Sequence, residues 1–467
     1  MSEKNKYPKL YVKNFAKIKE AEIELAPFTL FVGDNNSGKS YLMTLVYGLV
    51  KYTSKIIEII FKDEKNVEEL EEYKKAKDII DNRIRTLEFG EYINISVEEF
   101  NIFVDLFNAL LNKYSNEVIN YIFNSNDEIV LGHIELTFNY DNTIRHLKIY
   151  KNNNEKRSLI VIRYNRFIKP IMIGNNIKYI SIIKNIINFI ISSHFRIDFF
   201  GNMINRTIFL PVSRTGFLLS RNDIASSAII DKFDRYVEEK NNEYLSRPVI
   251  DFLNNLNNLN YLNSKENNRT TTMIRKLNHI SNFFEENLIF GQININAETG
   301  NIYYKPKNVN TEFQMYLSSA VITELIPLYL FLKYNLIDDR LLMEEPEISL
   351  HPELQQQLTR VFIKLVNSHI HVLITTHSDT IIQHINNMIK LNSNNEERKK
   401  YLMNKYGYDE DDLISEDMVR MYQFDIEEDG FTKVTKLESS EYGFEVPTFN
   451  KVLKKISDEI YDFQEEL

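Results

Sequence analysis

The sequence predicts an α/β fold, and three observations predict it. Residues 28–32 form an apolar strand that runs through a Gly-containing loop into a helical pattern carried by Tyr41, Leu42, Leu45, Val46 and Leu49. From residue 320 to 389 helical periodicity alternates with short apolar strands, the pattern of a parallel sheet covered by helices. Residues 133–140, 143–151 and 158–164 alternate with period two between Asn/Asp turns, which reads as an added antiparallel meander.

The loop after the first of these strands reads Gly33-Asp34-Asn35-Asn36-Ser37-Gly38-Lys39-Ser40 and matches G-x-x-x-x-G-K-[ST] at every fixed position. Gly33 and Gly38 allow a turn whose successive N–H groups point at phosphate oxygens. Lys39 has the reach for the β- and γ-phosphates, and the Ser40 hydroxyl suits Mg²⁺. A Gly/Asn turn beside a surface lysine is the duller alternative, and the strand and helix on either side disfavour it. The chain is therefore read as nucleotide-binding.

The remaining elements follow in order. Residues 9–32 read as strands, 54–87 and 97–123 as helical regions, and 177–195 as a helix. Residues 206–216 read as a strand and turn. Residues 223–287 are helical and polar with an Asn-rich middle, a pair of helices or a projecting arm. Residues 288–304 read as a hairpin turned at Glu298-Thr299-Gly300-Asn301. Residues 392–417 form a polar connector, and a hairpin (419–425, 432–437) and an acidic helix (448–466) follow. The expected organisation is a nucleotide-binding core from 1–50, 205–220 and 312–390, a helical insertion at 51–130, a basic meander plus helix at 131–200, a helical arm at 222–288, and a C-terminal hairpin and helix at 391–467 completing the core lobe.

Composition excludes several classes. The 467 residues include no cysteine, so disulfides, cysteine nucleophiles and cysteine-based zinc sites are ruled out. The N-terminus has no apolar signal-peptide region, and Lys178, Lys184 and several Asn interrupt the most apolar stretch, so a cytoplasmic location without membrane contact is expected. The formal charge of −10 conceals an asymmetry: residues 143–196 carry eleven basic side chains and one acid, Glu155. Arg157, Arg163 and Arg166 in that segment are candidate nucleic-acid contacts, although a solvated sheet face would look the same.

Further along, Leu341-Leu342-Met343-Glu344-Glu345-Pro346-Glu347 is an apolar strand ending in acids. The first acid is placed to hold Mg²⁺ and the second, Glu345, to act as base on water. A strand ending in solvated glutamates is the alternative. His377, at the end of the strand beginning near His371, is placed to meet a γ-phosphate or to serve as a turn residue.

With the phosphate loop, Leu317-Ser318-Ser319-Ala320, Glu344-Glu345-Pro346-Glu347-Ile348-Ser349-Leu350-His351-Pro352 and Thr375-Thr376-His377-Ser378 in this order, the chain resembles ABC-type ATPases, nearest the OLD/RecF/SMC-like branch of DNA-associated ATPases. The Leu-Pro-Val-Ser-Arg run at 210–214 is similar to a strand of OLD-like ATPases of bacterial phage defence. The resemblance covers residues 8–50, 205–220 and 312–390 and implies an ABC-type P-loop fold carrying an antiparallel β subdomain and helical insertions. It implies ATP and Mg²⁺ as ligands, with Ser40 and Glu344 at the metal, Glu345 as catalytic glutamate and His377 as switch histidine. It also implies that Ser318 and Ser319 act as a signature across a dimer interface. Ser319-Ala320 stands where transporter-type enzymes have two glycines, Glu344 stands where Asp is usual, and no glutamine loop can be placed, although Arg214 lies near its expected position. OLD nucleases carry a Toprim domain. The residues after His377 show no D-x-D cluster on a strand, and Glu410-Asp411-Asp412 reads as a solvated turn.

The function expected from these readings is an ATP-hydrolysing switch that dimerises around ATP, as the ATPase or sensor subunit of an anti-phage system controlling a separate nuclease or toxin. Two alternatives stand beside it: a RecF/SMC-like DNA-repair or DNA-binding ATPase, and a scaffold that sequesters an effector with little turnover. The expected partners are a second copy or a higher homo-oligomer, an effector protein and DNA.

Overall fold

Strands that are apolar without alternation must be covered on both faces, and in the computed structural model residues 28–33, 340–344 and 371–375 are buried throughout. The structure describes residues 7–86, 92–125, 129–138, 148–154, 157–164, 167–172, 179–195, 207–221, 245–257, 259, 271–296, 299–440 and 443–465.

A nine-stranded sheet organises the chain. Its strands are β1 (Lys9–Phe15), β2 (Ile18–Glu24), β3 (Phe28–Gly33), β4 (Leu131–Thr137), β5 (Ile208–Leu210), β6 (Arg340–Glu344), β7 (His371–Thr375), β8 (Val419–Ile426) and β9 (Thr432–Leu437), in the spatial order β4-β1-β2-β9-β8-β3-β7-β6-β5. The five strands from β8 to β5 run parallel. The register Gly33↔Phe424, Phe31↔Thr375, Glu344↔Thr375 and Met343↔Leu210 aligns their C-terminal ends along one edge.

Alternation along the strands divides the core in two. Phe28, Leu30, Val32, Met343 and Ile374 face helices α2 (Ala320–Lys333), α3 (Pro352–Asn367) and α4 (Asp379–Ser393). Phe31, Leu342, Leu373, Tyr422 and Phe424 face α1 (Lys39–Lys51) and the helices Thr53–Ile60, Val97–Lys113 and Tyr179–Phe195. The insertion helices thus share one core with α1 on this face of the sheet.

Two sequence expectations change. The strand near 133 does not join a meander: β4 pairs with β1 at the sheet edge, while Lys148–Asn154, Arg157–Tyr164 and Phe167–Met172 form a separate sheet with Tyr92–Asn94. The open backbone edge of β1 competes for any alternating strand, and periodicity cannot say which neighbour wins. The polar connector contains a helix, Glu396–Tyr406, started by the Asn395 side chain accepting from the Arg398 N–H and ended by Gly407 in the left-handed region. The strands of the C-terminal hairpin, β8 and β9, lie inside the sheet, between β2 and β3. The hairpin at 288–304 forms as Gly291–Ile295 and Ile302–Pro306, and most of the expected arm at 222–288 lies outside the described residues.

Candidate nucleotide site

The phosphate-loop sequence occupies the turn between β3 and α1. Gly33 and Gly38 have φ of 120° and 92°, and Asn36 has 58°, all in the region that opposes a side chain. A Cβ on Gly33 would fall inside the Phe424 carbonyl oxygen of β8, so glycine is required there on two grounds. Gly38 precedes α1 without a side-chain cap, and the first turn of α1 carries no acid. Its amides and dipole are therefore left to face an anion. Asp34 ties the loop to the far end of the chain: its N–H donates to Phe424 O at 3.0 Å, and its Oδ2 accepts from the Ile426 N–H at 3.0 Å. Asn35 and Asn36 are exposed at the tip, and the Ser37 hydroxyl closes the turn on Asp34 O at 2.7 Å.

Lys39 folds back over the loop. Its Nζ donates to Asp34 O at 2.5 Å, Gly33 O at 3.2 Å and Ser37 Oγ at 3.3 Å. Burial pushes its pKa down to about 8, against the pull of Glu345, Asp34 and Glu347. The Ser40 hydroxyl lies beside the Glu344 carboxylate and favours its charged form, and Glu344 Oε2 accepts from the Val212 N–H at 3.1 Å. Burial nevertheless raises the Glu344 pKa.

Glu345 follows in the left-handed region at φ 40°, a conformation costing a non-glycine residue roughly 1–3 kcal/mol. Its N–H is shared between Thr375 O at 2.9 Å and Thr375 Oγ1 at 3.2 Å. His377 Nε2 lies 4.0 Å from Glu345 Oε1, and burial followed by the nearby Lys39 charge keeps its imidazole below the ordinary histidine pKa. The edge of the sheet thus brings together the loop at 33–40, Glu344, Glu345 and His377.

Two participants carried no sequence assignment. Glu347 accepts the His377 N–H at 2.6 Å and so fixes the turn holding that histidine. Its membership of the Glu-Glu-Pro-Glu run was the available signal. Arg214, fully buried, bonds the carbonyls of Glu344 and Glu345 at 2.8 and 3.1 Å.

The signature segment stands at the start of α2. The Ser319 side chain accepts from the Ile322 N–H at 3.5 Å as helix cap, while Ser318 Oγ is shielded from solvent without a hydrogen-bond partner. Tyr316 and Leu317 before it are 66% and 62% exposed. Among the candidate nucleic-acid residues, Arg163 and Arg157 stand on one strand opposite Lys148 and Asn154, and Arg166 lies outside the described residues. Asp412 departs from its expected place in a solvated turn: it is fully buried between Arg360 Nη2 at 2.7 Å and Lys364 Nζ at 2.9 Å, an ion cluster that pins α3.

The donors fit a nucleotide with Mg²⁺. Among the described residues no cluster of three or more His, Cys, Asp or Glu side chains could hold a metal. A hydroxyl and a carboxylate side by side suit Mg²⁺, which completes its shell with phosphate oxygens and water. Among the described residues no helix is long and apolar enough to cross a membrane.

A phosphate loop, an acid-ended strand and a strand-end histidine on adjacent parallel strands are the parts of a P-loop ATPase. The chain belongs to the AAA ATPase domain family (AAA_15), which matches residues 8–382, and it is an ATP-hydrolysing enzyme. None of the curated proteins matches it. Among solved structures it is similar to the SMC head domain from Thermotoga maritima, with 13% identity, TM-score 0.34, and 92% of this chain and 98% of that one covered. It is also similar to the Smc head domain with an extended coiled coil bound to the C-terminal domain of ScpA derived from Pyrococcus furiosus, with 12% identity, TM-score 0.36, and 97% and 99% covered. At these scores the family assignment rests on the domain match alone.

Proposed function

We propose that the chain is an ATP-driven switch in which two copies close around ATP and hydrolysis at Glu345 releases them. The observation that carries this reading is the convergence of Lys39, Ser40, Glu344, Glu345 and His377 at the ends of adjacent strands. The loop amides and Lys39 bind the phosphates, and Glu345 takes the proton of the attacking water. Ser40 and Glu344 would hold Mg²⁺, which would supply neutralisation of phosphate charge.

In this reading a second copy covers the outer side of the bound phosphates. Tyr316 and Leu317, exposed beside Ser318, are suited to meet that copy, because aromatic side chains are enriched at interface cores, and the shielded Ser318 hydroxyl would turn outward to the partner's phosphate on closure. The order of the motifs favours a RecF/SMC-like switch acting with DNA or a protein partner. The Leu210–Arg214 run favours the OLD-like defence reading, in which the partner is a separate nuclease or toxin.

Glu345→Gln tests the reading. It should bind ATP with Mg²⁺, release phosphate very slowly, and accumulate as a doubled mass in light scattering. A variant that binds ATP yet keeps the mass of the nucleotide-free protein would remove the sandwich.

A further inference from the structure

Arg214 is a guanidinium without access to solvent. Such burial costs several kcal/mol unless the donors are used and a counter-charge is close. Both conditions are met by groups far apart in sequence. Nη1 donates to Pro211 O at 3.2 Å and Glu344 O at 2.8 Å, and Nη2 donates to Glu345 O at 3.1 Å. Nε donates to Glu324 O at 3.2 Å and lies 2.8 Å from Glu324 Oε2. Glu324 belongs to α2, in the turn after the Ser319 cap, and its Oε1 accepts from Thr215 Oγ1 at 2.6 Å.

The planar fork therefore has one arm on the helix that begins at Ser319 and two on the main chain of the paired acids. Glu345 sits in a strained left-handed conformation, and its carboxylate direction depends on what restrains its amide and carbonyl. Thr375 restrains the amide, and Arg214 restrains the carbonyl. The neighbouring Val212 N–H, on the same turn as Arg214, fixes the Glu344 carboxylate. A shift of α2 would be carried by Glu324 to Arg214 and from there to both acids.

We propose that Arg214 is a positioning residue that couples the helix behind Ser318 and Ser319 to the placement of Glu344 and Glu345, so that engagement of the signature segment is read out as hydrolysis. This coupling rests on the assignment of Glu345 as base. Lysine cannot replace arginine here, because a single ammonium cannot span a carboxylate and two separate carbonyls.

The test compares Arg214→Lys, Thr215→Val, Glu324→Gln and the Arg214→Lys/Glu324→Gln double variant with wild type and Glu345→Gln. Thermal melting, affinity for a fluorescent ATP analogue and steady-state phosphate release are measured for each. Arg214→Lys should keep analogue affinity within about twofold while kcat falls about tenfold or more, since ångström-scale misplacement of a reacting group is costly. Thr215→Val, which leaves the buried cation paired, should lower kcat in the same direction without loss of affinity. The double variant should be no slower than the slower single variant, because both changes break one linkage.

Losses of kcat that multiply in the double variant, or that track the folded or ATP-bound fraction, would overturn the coupling. If Arg214→Lys fails to fold, unchanged kcat in Thr215→Val overturns it. Wild-type kcat in Arg214→Lys beside an inactive Glu345→Gln would sink the coupling alone, whereas full turnover in Glu345→Gln would sink the base assignment and the coupling with it.

Discussion

Asp34 of the phosphate loop and Ile426 of the C-terminal hairpin are joined by a 3.0 Å hydrogen bond from the Ile426 N–H to Asp34 Oδ2. With the Asp34 N–H on Phe424 O, this bond makes the end of the chain a wall of the nucleotide loop. The loop conformation therefore depends on residues nearly four hundred positions away.

The first prediction concerns that wall. Gly33→Ala places a methyl inside the Phe424 carbonyl at φ 120°, whereas Gly430→Ala, at φ 81°, meets nothing within 4 Å. The second variant should lose only the left-handed penalty of roughly 1–2 kcal/mol. The first should lose more than that and also lose ATP binding. Urea midpoints of the two proteins, compared with wild type, check this, and equal midpoints would remove the steric argument.

Lys39→Ala should lower kcat by roughly 10²–10³-fold, the usual effect of deleting one group that stabilises developing charge. Phosphate release at saturating ATP measures it. Wild-type turnover in this variant would refute the loop assignment.

Lys39 also gives the protein a pH signature. Its pKa in the folded protein is about 8, below the ordinary 10.5, so the unfolded chain holds more protons between these values. Stability should therefore rise with pH from about 8 to about 10.5 as the penalty of a buried cation is relieved. ATP binding has the opposite dependence, because phosphate requires the charged amine. Affinity should fall about tenfold per pH unit above 8, with proton uptake on binding. Lys39→Arg should flatten the dependence. Calorimetry in buffers of different ionisation enthalpy reads the uptake, and its absence at pH 9 would refute the low pKa.

Ser318→Arg should spare ATP binding at its own loop and block hydrolysis in the partner's site. Mixed with Lys39→Ala, it should recover about half-site activity, since one composite site of the mixed dimer keeps both intact halves. Full activity of Ser318→Arg alone would remove Ser318 from the mechanism.

Neutralising Arg157, Arg163 and Arg166 together should weaken DNA binding and lower its log–log salt slope by about one for each phosphate that the variant no longer neutralises. Identical affinity and slope in the two proteins would make this basic segment a solvated surface.

The site's parts were legible where local backbone chemistry dictates them. Gly33 and Gly38 adopt conformations that favour glycine, and an apolar strand, a Gly-flanked loop and a helix form a unit within a few residues of one another. The acids at 344 and 345 and His377 end strands whose unbroken apolar runs announce a buried parallel sheet. The sequence by itself therefore determined the α/β class, the phosphate loop and the residue types at the strand ends.

Tertiary structure decided which strands are neighbours and who restrains whom. The strand at Leu131–Thr137 alternates as a meander strand would, yet the edge of β1 takes it, because register is set by an available partner and not by period alone. Arg214 lies near the place expected of a glutamine loop, and the sequence assigns it no role. Its partners Glu324, Glu344 and Glu345 lie 110 to 131 positions further on, so only folding reveals a buried fork. Asp412 reads as solvated until Arg360 and Lys364 close around it. In each case the deciding interaction is long-range, and its energy depends on burial that no local sequence pattern records.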